Sequence, residues 1–412
     1  MSSGKGGVGK TTFAVNFALT LSRIAPTILV DLDTGTSSVR NTLDVDVTHD
    51  LYHFFRRDRP LFDCLSTVDG RLDRDGLFRQ FAFVAAPRHA IEEITNLSDA
   101  ARWKLIHAIN QLPASFIVLD LRAGLDSSIL DFLPLSNSGI LVFTPHHPAA
   151  TIAAGDIVKS LLFRKLRILF AEGSPVFAAG DDRSHHRLVN DLLDQVEDVY
   201  EERLPNLDAF LRDLYDAFGE NPYLEAISSV IQTFAVHFVL NMFNGVEESY
   251  ENAIRPFVEY LMQSVSTHLQ LVNLGWIVED QRIHRANCER RPILLQPMTH
   301  PEDRPLDPVL AELASLETSV LGLPSRGEVV VRRTYHDAVA DLSAEVPLEQ
   351  QLQVLNSMYH SRGALHVRDN FAYIAHRALH MVRDLPPDTF GQPRLLTPLE
   401  LFDALVPHER HG

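Results

Sequence analysis

Apolar positions in the first 170 residues follow two alternating rhythms. Short runs of consecutive β-branched, aliphatic and aromatic residues at 27–31, 81–85, 116–120 and 139–144 read as strands covered on both faces, as in a parallel sheet. Between them, helical stretches run over 10–22 after a glycine-rich start, 98–111 behind a serine cap, and 148–162. This alternation predicts a three-layer α/β fold, a mostly parallel sheet with helices on both faces. The rhythm breaks at 173–235, which has no convincing strand. Leu188, Leu192, Leu193 and Val196, and then Leu207, Phe210, Leu211 and Leu214, fall at helical spacing on either side of Pro205. Strand character returns at 236–241 and 269–278, with a long helix between them to about 268, and a helix starting near 306 ends in Gly322 and Pro324. The expected organisation is a sheet-and-helix domain in two parts, 1–172 and 236–324, interrupted by a helical insertion at 173–235. A separate C-terminal extension at 325–412 follows, with a strand at 328–332 and helices at 348–360 and 370–383.

Charge sharpens the view of the insertion. The 412-residue chain has a net charge of −17, and 173–235 carries 13 acidic residues against four arginines, more than half of that excess. Such a chain is not built to grip phosphate backbones or anionic lipid over its whole surface, so specific nucleic-acid binding is not expected. The insertion is expected to select a basic protein partner of unknown identity. Cys64 and Cys288 are isolated and form no metal-binding spacing. The start of the chain lacks a leader's apolar core, and no run of 18 apolar residues occurs, which predicts a cytoplasmic protein. The histidine groups, His49 with His53, His146 with His147, His185 with His186 and His376 with His380, bring no third ligand, although His146 and His147 follow a strand end.

The strongest chemical signal is Gly4-Lys5-Gly6-Gly7-Val8-Gly9-Lys10-Thr11, which fits G-x-x-x-x-G-K-[ST] throughout. Glycines let a backbone wrap a phosphate with its amides pointing inward, and the helix beginning at Lys10 turns its positive end toward the same charge. Lys10 is placed for the β- and γ-phosphates, the Thr11 hydroxyl for Mg²⁺, and Thr12 for the α-phosphate. Lys5-Gly6-Gly7-Val8-Gly9-Lys10-Thr11-Thr12 resembles the deviant Walker A loop of the MinD/ParA ATPases, whose second lysine, here Lys5, reaches the partner subunit's phosphates in a nucleotide-sandwich dimer. The resemblance implies ATP and Mg²⁺ as cofactors and a homodimer formed on ATP binding.

Other landmarks follow. Asp31 and Asp33 lie at i and i+2 on one strand face, suited to holding Mg²⁺-bound water, and the resemblance gives Asp33 the orientation of the attacking water. Asp120 closes an apolar strand at the place of a Walker B acid. Thr11, Asp31 and Asp120 are thus the expected metal-site residues. Asp120-Leu121-Arg122-Ala123-Gly124 resembles the family's switch II, where Gly124 would offer its amide to the γ-phosphate; Arg122 departs from the small residue usual there. Asn241 ends a strand resembling the one whose asparagine reads adenine, and the segment 274–280 resembles the loop that flanks the base, with Asp280 in it.

Only Met1, Ser2 and Ser3 precede Gly4, where a P-loop fold places its central strand. The sequence therefore predicts an upstream start, a truncation, or a sheet that tolerates a stub. The resemblance, nearest to the MinD and flagellar-number (FlhG/FleN) branch, implies a slowly hydrolysing, nucleotide-switched positioning ATPase acting at a cell pole, flagellum or division site. The competing readings are a metabolic or metal-delivery ATPase of the same superfamily, disfavoured by the lack of bridging cysteines, and a non-hydrolysing ATP-binding adaptor, disfavoured by Asp33 and Asp120. The apolar stretch 395–406 carries Glu400 and Asp403, so peripheral membrane association through it has weak support.

Overall fold

The computed structural model describes residues 1–33, 39–89, 97–124, 132–133, 137–169, 190–191, 193–194, 206–219, 222–298, 305–308, 310–311 and 367–383. The expected strand at 328–332, the helix at 348–360 and the stretch 395–406 lie outside these residues.

Two sheets carry the fold, in the orders β2-β3-β1-β4 and β5-β6-β7. Here β1 is Thr27–Leu32, β2 Leu65–Thr67, β3 Phe81–Val84 and β4 Phe116–Leu121, while β5 is Asn137–Phe143, β6 Ala235–Phe243 and β7 Gln270–Val278. All pairings are parallel except the short edge strand β2, which runs antiparallel to β3. Residues Met1 to Ser3 join the two sheets. The Met1 amine donates to the Leu119 carbonyl at 2.7 Å, Leu121 N–H donates to Met1 O at 3.0 Å, and Ser2 both donates to Ile140 O and accepts from Val142 N–H. This three-residue stub fills the slot between β4 and β5 that the central strand of a P-loop fold occupies.

Helices cover both faces. On one side lie α1 (Lys10–Ser22), the one-turn α2 (Val39–Thr42) and α10 (Gln281–Cys288). They are joined there by α11 (Val367–Arg383), and Phe13, Phe17, Val39, Ala286 and Phe371 share a core. On the other side are α3 (Leu51–Arg56), α4 (Asp99–Asn110), α5 (Pro148–Leu169), α6 (Leu207–Phe218), α7 (Pro222–Gln232), the short α8 (Val246–Ser249) and α9 (Arg255–Ser264). A π-helical turn, Tyr250–Ile254, links α8 to α9. The ends of these helices follow local chemistry: the Ser98 hydroxyl caps α4, Asn206 caps α6 by accepting from Ala209 N–H at 3.0 Å, and Gly219 at φ 68° stops α6.

The described part of the insertion is not an outlying body. Leu193, Leu207, Phe210, Leu214, Ile227 and Ile231 are buried in the same core as Leu161 of α5 and Phe238 of β6, and Asp208 accepts hydrogen bonds from Ser266 and Thr267. Leu188, Leu192 and Val196 of the first leucine stripe lie outside the described side chains. Likewise α11, which falls in the sequence-defined C-terminal extension, packs against α1 and β7.

Candidate functional site: a glycine cradle over a lysine and three carboxylates

The loop before α1 has the shape its glycines demand. Gly7 and Gly9 hold φ of 85° and 81°, a left-handed backbone that side chains resist, and a Cβ placed on Gly6 or Gly7 would meet nothing within 4 Å. The concave side of the loop is therefore open. A Cβ on Gly4 would overlap the backbone of Ala153, and one on Gly9 would overlap the Asn241 amide, so these two glycines are there for close packing. Gly9 is the N-cap of α1 and has no side chain to satisfy the helix's first amides, which leaves a dipole end suited to an anion. Val8 is buried beneath the loop, whereas Lys5 is exposed.

Beneath the cradle the predicted residues converge. Lys10, only 5% exposed, donates to Asp120 Oδ1 at 2.6 Å and to Asp33 Oδ2 at 3.3 Å, and the Thr11 hydroxyl donates to Asp120 Oδ2 at 2.7 Å. Asp31 and Asp120 stand side by side in the β1/β4 register, both wholly buried. Asp31 accepts from the amides of Val39 at 2.7 Å and Asp33 at 3.1 Å. Burial, and then the neighbouring Asp120, hold the Asp31 carboxyl well above the ordinary range. Burial works to lower the Lys10 pKa, but Asp120 and Asp33 outweigh it and hold the ammonium above its usual value.

Two crowded acids beside a threonine hydroxyl form a hard-oxygen donor set that suits Mg²⁺, since a divalent cation relieves the repulsion that burial amplifies. Thr11, Asp120 and Asp31 are the residues that would hold it, directly or through water, and the open cradle fits the phosphates the ion would accompany.

The remaining expected residues are engaged in the protein itself. Gly124 N–H donates to Ser3 O at 3.1 Å, and the Asn241 amide donates to Val8 O at 2.8 Å, securing the loop from below. Asp280 caps α10 by accepting from Arg282 N–H and pairs with the Arg282 guanidinium at 2.7 Å. His146 pairs with Glu279 at 3.3 Å, beside that cap. Asn287, not singled out from the sequence, donates to the Thr12 hydroxyl at 3.1 Å and ties α10 to the first turn of α1; its only sequence signal is a position two turns after Asp280.

The family model described as the CobQ/CobB/MinD/ParA nucleotide-binding domain matches residues 1–293. A putative septum site-determining protein MinD of Chlorella vulgaris is 27% identical over 169 residues, 39% of this chain and 55% of that protein. A chloroplastic septum site-determining minD homolog of Arabidopsis thaliana is 27% identical over 155 residues, 35% of this chain and 44% of that protein. The chain thus spans about half the length of these curated relatives. The solved MinD of Pyrococcus horikoshii, complexed with Mg-ADP, superposes with a TM-score of 0.42 at 17% identity, covering 73% of this chain and 90% of that one. The family match spans well over half of the sequence and contains the whole glycine cradle, its lysine and its carboxylates; the chain belongs to the CobQ/CobB/MinD/ParA nucleotide-binding family.

Proposed function

We propose that this chain binds ATP with Mg²⁺, hydrolyses it slowly, and uses the bound nucleotide to close a homodimer that positions a cargo at a cell pole, flagellum or division site. One observation carries the reading: hydrogen bonds link Asp33 to Lys10, Lys10 to Asp120 and Asp120 to Thr11 under an open glycine loop. Septum placement, the role in the relatives' names, supports the positioning part.

Lys10 turns from Asp33 and Asp120 toward the β- and γ-phosphates, while the loop amides and the start of α1 hold the other phosphate oxygens. Thr11 and Asp120, with Asp31 beside them, would hold Mg²⁺, which would supply neutralisation of the phosphate charge. Asp33, released from Lys10, orients the attacking water. Gly124 exchanges Ser3 O for a phosphate oxygen. Lys5 is exposed and free to reach a second subunit's phosphates. A basic partner would meet the outer, acidic side of the insertion, where Asp213, Asp216 and Glu225 are exposed, because its apolar side is spent on the core.

Isothermal titration of Mg-ATP into the full chain tests the binding step. Lys10→Ala should weaken affinity by about 100-fold, the worth of two charge-assisted hydrogen bonds to phosphate. Equal affinity in the two proteins would refute the proposed site.

A further inference from the structure

α11 begins at Val367, 74 residues beyond the last residue matched by the family model, yet it is built into the face of the domain that carries α1. Val367, Phe371, Ile374 and Ala375 are all buried, and the Phe371 ring lies over Phe13 of α1 at 6.1 Å between centroids. Gly275 of β7, at φ 141°, leaves room for this helix; a Cβ there would come within 2.9 Å of Ile374. β7 is the outer strand of its sheet, so its outward amides need partners from elsewhere. At its last residue, Val278, the amide donates to Asn370 Oδ1 at 3.1 Å, and Asn370 is itself only 2% exposed. Two residues further on, Asp280 caps α10, which reaches the first turn of α1, just past the glycine loop, through the Asn287 to Thr12 bond.

Resting on the nucleotide-binding reading above, we infer that Asn370 is a positioning residue for the nucleotide base: by holding the end of β7 it fixes the segment 279–287 against the glycine cradle. The family domain alone is then an incomplete base site, and the chain completes it with a helix from its C-terminal region. The phosphate cradle has its own support from below in the Asn241 to Val8 O bond, which does not involve α11.

Titration of the full chain with Mg-ATP and with Mg-tripolyphosphate separates the two parts of the site. Asn370→Ala should weaken Mg-ATP about tenfold, the effect of one buried hydrogen bond, and leave tripolyphosphate affinity within about twofold. Asn370→Asp, which keeps an acceptor at the same place, should recover ATP affinity. Wild-type affinity for ATP in Asn370→Ala, equal loss of both ligands, or no recovery in Asn370→Asp would overturn the inference. Should Asn370→Ala fail to fold, amide exchange in the wild type decides: ATP should slow exchange at Val278 and across 279–287, and unchanged exchange there contradicts the proposal. A wild-type chain that binds neither ligand would instead overturn the nucleotide reading itself.

Discussion

Lys165 shows how burial decides the chemistry of a single side chain. It sits on α5 at 2% exposure, its amine 4.0 Å from the centre of the Phe234 ring, and among the described residues its Nζ has no hydrogen-bond partner. Burial pushes its pKa well below the usual lysine value. Between that lowered value and the ordinary one near 10.5, the unfolded chain holds a proton that the folded chain lacks, so stability rises with pH through this window and falls as pH drops. Lys165→Met should therefore flatten the pH dependence of the melting temperature above neutrality and raise the melting temperature at pH 7 by roughly 2 °C or more. A variant that melts lower, with the slope unchanged, would show that the amine is not held neutral. At the cradle, Gly9→Ala meets both a positive φ and the Asn241 amide, and is expected to reduce Mg-ATP affinity more than about tenfold in the same titration used for Lys10→Ala.

At the scale of elements, the insertion makes the sharpest demand. α6 and α7 bury their apolar residues in the same core as α5 and β6, which makes them part of the main core. Phe210→Ala removes a ring with no exposure and should lower stability by about 3–5 kcal/mol, seen as a lower urea midpoint for the whole domain. Deleting 206–232 should likewise destabilise the sheet-and-helix body; a deleted chain with an unchanged urea midpoint would mean the stripes are dispensable. Each parallel strand was legible in the sequence because it is apolar on consecutive residues, and the glycine cradle because its spacing is dictated by phosphate geometry. Asp31, Asp33, Lys10 and Asp120 were legible for the same reason: strand ends and the loop meet at one edge of the sheet. β2 was not, since three residues paired to an edge carry too little pattern. The stripe of Leu207, Phe210, Leu211 and Leu214 announced a helix with a buried side, but an amphipathic period does not say which surface covers it. The helix at 367–383 was similarly visible, while its seat on α1 and β7 depends on Asn370, Phe371 and Ile374 meeting residues far away in sequence. Asn287 and Asn370 escaped notice because an asparagine that bonds a distant hydroxyl or amide has no local signature.

For the whole molecule, the proposed function has nucleotide converting a monomer into a dimer. Lys10 is bonded to Asp33 and Asp120, while Lys5 is exposed and outside that network. In the proposed dimer, contacts from Lys5 to the partner's phosphates would have to act against the repulsion of two chains that each carry a net charge of −17. Sedimentation of an Asp33→Ala chain, in which hydrolysis should be blocked, tests this most directly. The expected result is a monomer without nucleotide, a dimer with Mg-ATP, and a monomer again when Lys5→Ala is added; a single species that ignores both ATP and Lys5 would contradict the account.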